Sequence, residues 1–383
     1  NKPVDALDYL TKPADYPAVG LCVVFGDEPF LARRVAAALR AEVLGQQDAE
    51  FSLSTFDGAK ATLRDVLDEL DTMAMFGGGR RHFLPAGQPD PEHPEKTGRR
   101  KDGRDLIAEW QDRHPGGAFV WNRAQMQAAA GKSPILGLFE YDHLHFEHDR
   151  AQDDPGEPTL AELTREAIQR LRDRPEGYLL VVEGGRIDHA HHAGNAMRAL
   201  TDTIALAEAV QAAVELTDES DTLVLVTADH GHTLTFAGYP SRGNPILDKV
   251  HHHDRDGRRA LARDGLGLPY TTLGYANGPG YRGLDAAGND ITYYDAPADF
   301  TPRSGRPDLT DVDTEHKYFQ QEATVPLQSE THGGQDVGIW ARGPGAHAVR
   351  GTVEQNVIFH FLVQATPRLR QHLRGAGLCN ADG

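Results

Sequence analysis

Three short apolar runs constrain this chain more than any other feature, because each lies directly beside a polar cluster. The runs are YLLVVE (178–183), TLVLVTA (222–228) and VGIWA (337–341). Near-continuous apolar strands are typical of a parallel sheet that helices cover on both faces. Ligands of such sheets gather where strands end and the loops of separate crossovers meet. The pattern therefore predicts an α/β fold, a mostly parallel sheet flanked by helices, with a site at the sheet edge.

The polar clusters beside these runs are rich in carboxylates and imidazoles. In chain order the candidate ligands are Glu183, Asp188, His192, Asp229, His230 and His332. Carboxylate and imidazole are the non-thiol ligands of zinc, and a lone hard oxygen suits magnesium. Two cations about 4 Å apart can clamp the attacking and leaving oxygens of a phosphoryl displacement. Each cluster alone is compatible with an ordinary polar loop, and only their combination favours a metal site.

Other stretches predict how the rest of the chain is organised. Residues 195–216 have the apolar spacing of a long helix, and 86–104 are rich in Pro, Gly and charge, as an irregular loop is. Residues 265–331 show little periodicity and are interpreted as an inserted subdomain. In DHLHFEHD (142–149) the alternation favours a strand whose histidines are structural rather than ligands.

Composition excludes several classes of protein. The formal net charge is −18, so we expect no direct nucleic acid binding. Only two cysteines are present, so no disulfide framework is expected. No apolar run approaches the roughly 18 residues that a membrane span needs, and the first residues lack a signal-peptide pattern.

Seven strings between residues 77 and 344 carry a family resemblance. They are GGGRRHFLP (77–85), DGRDLIAEW (102–110), LGLFEYDHLHFEHDR (136–150), VEGGRIDHAHH (182–192), TADHGH (227–232), ANGPGY (276–281) and ETHGGQDVGIWARGP (330–344). Residues from about 77 to 370 resemble the C-terminal part of the alkaline phosphatase family, particularly its animal-like branch. The resemblance implies that family's fold with its N-terminal half missing, and a crown-like insertion at about 265–331.

The resemblance also implies a role for each candidate residue. The residues implied to hold the first zinc are Asp188, His192 and His332. Asp229 and His230 would hold the second zinc, and Glu183 the magnesium. The implied second-sphere residues are His189 and His232. A structural calcium is implied at Glu140 and Glu157, with the carbonyl of Phe139.

The N-terminal segment departs from this pattern. The family's serine nucleophile lies in an Asp-Ser-Ala string, and Ser52 and Ser54, the only serines before residue 82, lie in no such string. Residues 1–81 resemble instead the N-terminal domain of the delta subunit of DNA polymerase III, through LCVVFGDEPFLARRV (21–35), FSLSTFDG (51–58) and LDELDTMAMFGGGRR (67–81). We therefore predict a hybrid chain: a small α/β segment (1–80), followed by an alkaline-phosphatase-like metal-binding domain (81–383).

The predicted function is hydrolysis of small phosphate monoesters at a two-zinc, one-magnesium site, impaired because the nucleophile is not found. One alternative is a non-enzymatic fragment of a clamp-loader delta protein, and another is an inactive metal-binding remnant. The phosphatase-like part implies a periplasmic or extracellular location, whereas the N-terminal segment implies the cytoplasm. The sequence leaves open the compartment, and also whether the chain forms a homodimer.

Overall fold

The computed structural model describes residues 74–153, 156–175, 177–282, 306–367 and 370–371. The strands and helices expected within residues 1–73 lie outside this part of the chain. The chain divides into two compact units, one made of residues 1–71 and 342–383 and the other of residues 72–341. The second unit holds nearly all of the described elements. No described helix has the length and apolar character to cross a membrane.

A three-stranded parallel sheet forms the best-buried part of the second unit. Its strands are β1 (Ala74–Gly77), β2 (Ala118–Val120) and β3 (Ile135–Leu138), in the order β1-β3-β2. The central strand β3 is buried along its whole length and pairs in parallel with both neighbours. Leu136 and Leu138 join one apolar cluster, whereas Ile135 joins another, because alternate side chains of a strand point to opposite faces.

Helices flank the strands throughout the described chain. They are α1 (Leu106–Arg113), α2 (Arg123–Ala128), α3 (Glu147–Arg150), α4 (Leu160–Leu171), α5 (Arg186–His192), α6 (Ala196–Leu216) and, in the other unit, α7 (Val357–Ala365). A capping box starts α4: Thr159 Oγ1 accepts the Glu162 N–H at 3.0 Å, and Glu162 Oε2 accepts the Thr159 N–H at 2.8 Å. The long helix predicted over 195–216 is confirmed, with Asn195 as the N-cap of α6.

The remaining strands are short. They are β4 (Val224–Thr227), β5 (Gly231–His232), β6 (Leu234–Phe236), β7 (His251–His253), β8 (Arg259–Leu261), β9 (Leu273–Gly278), β10 (Ala323–Pro326), β11 (His332–Gly333) and β12 (Ile339–Arg342). Strand β9 pairs in parallel with β10 and antiparallel with β6. Pairs β5–β11 and β7–β8 are antiparallel, and β4 pairs with β12. The α/β class with parallel pairing is confirmed.

Two predicted strands are wrong. The run at 178–183 forms no strand, and Leu179 and Val181 are 76% and 81% exposed. An apolar sequence becomes a strand only beside a neighbour that accepts its hydrogen bonds, and this segment has no strand partner in the described chain. The single sheet expected from the three apolar runs is therefore not formed, although β4 and β12 occur within or close to the other two runs. Residues 142–146 form no strand either, and α3 follows them.

Two other expectations concern irregular segments. The loop predicted at 86–104 is confirmed, since no helix or strand occurs between residues 83 and 105. The described parts of 265–331 contain β9 and β10. Residues 283–305 lie outside the description, so the crown-like insertion remains a prediction.

Candidate metal centres

Four imidazole rings surround one carboxylate oxygen in the second unit. Asp188 Oδ1 lies 3.0 Å from His232 Nε2, 3.3 Å from the Nε2 atoms of both His192 and His332, and 3.9 Å from His230 Nε2. These five residues are called the histidine cluster below. Potential ligand atoms of Asp188, His230, His232 and His332 all lie within 4.8 Å of one another. The sequence therefore places metal-type donors together from three separate segments.

Short, regular elements bring these side chains together. Asp188 and His192 are one turn apart on α5, so they lie on the same helix face. Strands β5 and β11 pair antiparallel with His232 opposite His332. An added Cβ at Gly231 would lie 2.3 Å from Gln335 Nε2, so a larger residue there would displace the Gln335 side chain, which donates to the His232 carbonyl at 2.7 Å.

Glu330 is hydrogen-bonded to two residues of the histidine cluster, and its side chain is fully buried. The Glu330 carboxylate accepts hydrogen bonds from His232 Nδ1 at 2.7 Å and from the Thr233 N–H at 2.6 Å. Its backbone N–H donates to the His192 carbonyl at 3.0 Å, and its carbonyl accepts from His192 Nδ1 at 2.5 Å. A carbonyl only accepts hydrogen bonds, so His192 carries its proton on Nδ1 and keeps the Nε2 lone pair for a metal.

Charge and burial set the protonation of this network. Burial would raise the pKa of Glu330, but the hydrogen bonds from His232 and Thr233 outweigh burial and lower it. Burial would lower the pKa of His232, but its hydrogen bond to Glu330 and the charge of Asp188 raise it. His191 stacks on His232 with ring centroids 4.6 Å apart, and burial lowers its pKa to about 4. The Nδ1 of His191 lies 2.9 Å from the hydroxyl of Tyr275.

Three of the residues predicted for the zinc and magnesium sites and their second sphere lie outside the histidine cluster. Asp229 is 80% exposed, with Oδ2 3.3 Å from His230 Nε2. The side chain of Glu183 is exposed and belongs to none of the ligand groups found among the described residues. His189 contacts Arg186 Nη1 through Nδ1 at 3.1 Å, and burial and the charge of Arg186 lower the pKa of His189.

A second group of ligand-type side chains lies past the carboxyl end of β3. Glu140 follows β3 after one intervening residue, and its Oε1 lies 3.7 Å from both His93 Nε2 and His145 Nδ1. His145 Nδ1 lies 3.1 Å from Glu157 Oε2. Glu140 and Glu157 are only 6% and 2% exposed. The structure therefore brings together the two glutamates to which the resemblance gives a calcium.

Glu92 completes this group from the irregular loop. The fully buried Arg80 pairs with Glu92 and holds Asp90 through Nε at 3.0 Å and Nη2 at 2.9 Å. The Glu92 side chain is 4% exposed, and its Oε1 is buried with no hydrogen-bond partner among the described residues. Burial raises the pKa of Glu92 and of Glu157. The carboxylate–imidazole cluster is defined by Glu92, His93, Glu140, His145 and Glu157.

Sequence reasoning missed three residues of the carboxylate–imidazole cluster, Glu92, His93 and His145, and also Glu330, which contacts the histidine cluster. Glu330 is the first residue of the quoted string ETHGGQDV, in which His332 alone was taken as a ligand. Glu92 and His93 lie in the loop that was predicted only to be irregular. The burial of Glu92 depends on its pairing with Arg80, which no local pattern reveals.

Comparison with known proteins identifies relatives of the chain. The family model "Alkaline phosphatase" matches residues 38–367. The tissue-nonspecific alkaline phosphatase isozyme of Gallus gallus is 38% identical over 328 residues, which are 83% of this chain and 58% of that protein. Alkaline phosphatase of Gadus morhua is 36% identical over 321 residues, 81% of this chain and 61% of that protein. The chain thus spans somewhat more than half the length of these curated relatives.

Among solved structures, alkaline phosphatase of Thermus thermophilus is similar, with 31% identity and a TM-score of 0.40 over 46% of this chain and 35% of that one. The family match begins at residue 38, inside the segment for which the sequence predicts a separate clamp-loader-like unit. That resemblance, and the domain boundary at residue 80, remain predictions.

Proposed function

Because the chain belongs to the alkaline phosphatase family, we propose that its histidine cluster is the metal centre of a phosphate monoester hydrolase. The observation that carries this proposal is the placement of four imidazole nitrogens within 3.9 Å of Asp188 Oδ1. Imidazole and carboxylate donors of this kind suit zinc. The substrates proposed are small phosphate monoesters, as for the family.

The proposed site holds two zinc ions and one magnesium ion. The first zinc is assigned to Asp188, His192 and His332. Asp188 Oδ1 lies 3.3 Å from the Nε2 atom of each of these histidines. The second is assigned to Asp229 and His230, which contact each other at 3.3 Å. Glu183 is assigned to magnesium. When bound, zinc would stabilise the charge that develops on the phosphate and on its leaving oxygen.

The second-sphere role proposed for His232 rests on its two contacts. Its Nδ1 faces Glu330 and its Nε2 faces Asp188, at 2.7 and 3.0 Å. Both ring nitrogens are therefore occupied by carboxylates, so His232 orients Asp188 instead of binding an ion itself. His189, assigned the same class of role by the resemblance, would act through Arg186.

Access to the cluster is open on one side. His332 is 52% exposed and Asp229 is 80% exposed, so a phosphate monoester can reach the metal ligands from solvent. We propose that turnover is impaired, because Ser52 and Ser54 lack the sequence context of the family's nucleophile. A second copy of the chain, as in a homodimer, is also a proposal.

The test is hydrolysis of a chromogenic phosphate monoester at alkaline pH, with zinc and magnesium added and then removed by a chelator. We expect slow turnover that the chelator abolishes. The Asp188→Asn variant should lose this turnover, whereas His252→Ala, which removes an exposed imidazole outside both clusters, should keep it. Turnover that persists with the chelator, or that is equal in Asp188→Asn, would contradict the proposal.

The same experiment addresses the alternative of an inactive metal-binding remnant. Bound zinc without any chelator-sensitive turnover would favour the remnant over the enzyme. Turnover at a rate typical of the family would instead show that the proposed impairment is wrong. The carboxylate–imidazole cluster shares no residue with the histidine cluster.

A further inference from the structure

We propose that the carboxylate–imidazole cluster binds a divalent transition-metal ion such as zinc in preference to calcium. Calcium is the ion that the family resemblance implies at Glu140 and Glu157. The inference concerns residues separate from the histidine cluster, so it does not depend on the proposed hydrolytic function.

Two glutamates of this site are buried by the surrounding fold. Glu140 and Glu157 are almost fully buried beyond the end of β3, where loops from separate crossovers meet. Arg80 fixes the Pro-rich loop there, since its Nη1 donates to the Leu138 carbonyl at 2.8 Å while its other nitrogens hold Asp90 and Glu92. The glutamates are therefore held in place by the sheet and by the buried arginine.

An unpartnered atom indicates that a cation belongs here. Glu92 Oε1 is buried and has no hydrogen-bond partner in the described part of the chain, and an orphaned carboxylate oxygen is costly. The charge of Arg80 is already shared between Glu92 and Asp90. Glu92, Glu140 and Glu157 thus place three buried carboxylates together, with Arg80 shared between Glu92 and Asp90 and the His145 imidazole facing Glu157. A bound divalent cation would satisfy both the unpartnered oxygen and this excess of negative charge.

The donor atoms decide which cation fits. Calcium takes six to eight oxygen ligands, whereas imidazole nitrogen suits zinc and its neighbours in the first transition row. Here His93 Nε2 and His145 Nδ1 both lie 3.7 Å from Glu140 Oε1, and His145 Nδ1 lies 3.1 Å from Glu157 Oε2. Ligands at zinc distances from a tetrahedral centre are about 3.3–3.6 Å apart, and these three pairs lie within a few tenths of an ångström of that spacing. The potential ligand atoms form two groups that share Glu140, one with Glu92 and His93 and one with His145 and Glu157, so each group offers an imidazole nitrogen beside two carboxylates.

The test replaces the two nitrogens with oxygens. In the double variant His93→Gln, His145→Asn, each amide oxygen can take the place of the ring nitrogen that faces Glu140. The full chain is stripped of metal, dialysed against zinc with calcium in excess, and its bound zinc and calcium are counted by mass spectrometry. The matched control is His143→Ala, which removes a neighbouring imidazole that is 59% exposed and outside the cluster.

We expect the chain and the His143→Ala control to bind one zinc more than the double variant. The zinc affinity of this site should fall at least about tenfold in the double variant, since the loss of outer-shell partners alone costs 10–100-fold. Calcium should bind the double variant at least as well as the unmodified chain. Equal zinc counts in all three proteins would overturn the proposal.

A second measurement covers the case in which the double variant does not fold. The unmodified chain is loaded with millimolar calcium and titrated with micromolar zinc, and the release of calcium is followed. Zinc that displaces calcium, or a site that binds zinc and never binds calcium, supports the proposal. Calcium that stays bound against zinc overturns it. The Asp188→Asn variant should lose zinc from the histidine cluster and give the same calcium result.

Discussion

The two clusters are built on opposite kinds of support. The carboxylate–imidazole cluster lies beyond the end of β3, a strand whose residues are all buried between two apolar clusters. The histidine cluster lies on β5, β11 and α5, where the strands are two residues long and the nearby run 178–183 is exposed. The carboxylate–imidazole cluster is held rigid by a packed sheet. The geometry of the histidine cluster depends on hydrogen bonds, above all those of Glu330.

This difference shows that a metal-type cluster does not require a well-packed strand directly beneath it. Glu330 makes its contacts to His232, Thr233 and His192 through both its side chain and its backbone. Those bonds fix the orientation of the His192 and His232 rings, which lie on two separate chain segments. Stability and site geometry should therefore respond to different substitutions in the two regions.

The largest expected effect is the difference in stability between removing a buried leucine side chain and removing an exposed one. Leu138→Ala, at a side chain that is 0% exposed in β3, should lower the free energy of unfolding by about 2–5 kcal/mol. Leu179→Ala makes the same chemical change at a side chain that is 76% exposed, and should change it by no more than about 0.5 kcal/mol. Urea denaturation measures both. Equal losses would mean that the run 178–183 is packed after all.

A smaller effect is expected from the hydrogen bonds that support the histidine cluster. Glu330→Gln keeps the size of the side chain but removes the charge that His232 and Thr233 contact, so zinc affinity should fall by about 10–100-fold. Glu315→Gln makes the same change at an exposed side chain and should leave zinc affinity unchanged. A competition titration with a zinc chelator measures the affinities. An unchanged affinity in Glu330→Gln would remove the argument that this residue holds the site.

A pH effect is expected where α6 packs against α3. Burial raises the pKa of Asp202 to about 6 from the ordinary value of 3.8, although the Glu147 N–H donates to it. A raised carboxyl pKa stabilises the fold below pH 3.8, and this contribution is lost as the pH rises through 6. Between pH 4 and 7 the free energy of unfolding of the unmodified chain should fall. In Asp202→Asn this fall should be smaller by on the order of 1 kcal/mol. Parallel pH profiles in the variant and the unmodified chain would contradict this.

The smallest effect is expected at an exposed ion pair between helices α4 and α6. Arg165 on α4 lies 3.2 Å from Glu215 on α6, and both side chains are nearly half exposed. Arg165→Gln should destabilise the chain by no more than about 1 kcal/mol, and less at high salt, because surface pairs are screened. Thermal melts at two salt concentrations measure it. A larger loss that does not depend on salt would show that Arg165 acts through packing.

The sequence predicted more of the chemistry than of the supporting structure. The helix α6 and the strand β4 follow from local periodicity, and Asp188, His192, His230 and His332 were recognised as candidate ligands before their distances were known. The run 178–183 looked like a strand because its composition is apolar. Composition does not reveal whether a neighbouring strand is available, so that prediction was wrong.

The missed residues share a physical reason. Glu330 and Glu92 are ordinary acidic residues in sequence, and only long-range contacts bury them, with His232 and Arg80 respectively. The sequence interpretation makes His145 structural because its stretch matches the family, but His145 Nδ1 lies 3.1 Å from the buried carboxylate of Glu157. A pattern along the chain indicates which residues can bind metal. Three-dimensional packing decides which of them are held together.

Anomalous diffraction at the zinc absorption edge, on crystals of the full chain grown with zinc, magnesium and excess calcium, tests the central claim most directly. The account predicts anomalous peaks beside Asp188 in the histidine cluster and beside Glu140 in the carboxylate–imidazole cluster. The peak beside Asp188 should disappear in Asp188→Asn while the peak beside Glu140 persists. No zinc peak beside Asp188 in the unmodified chain would contradict the account.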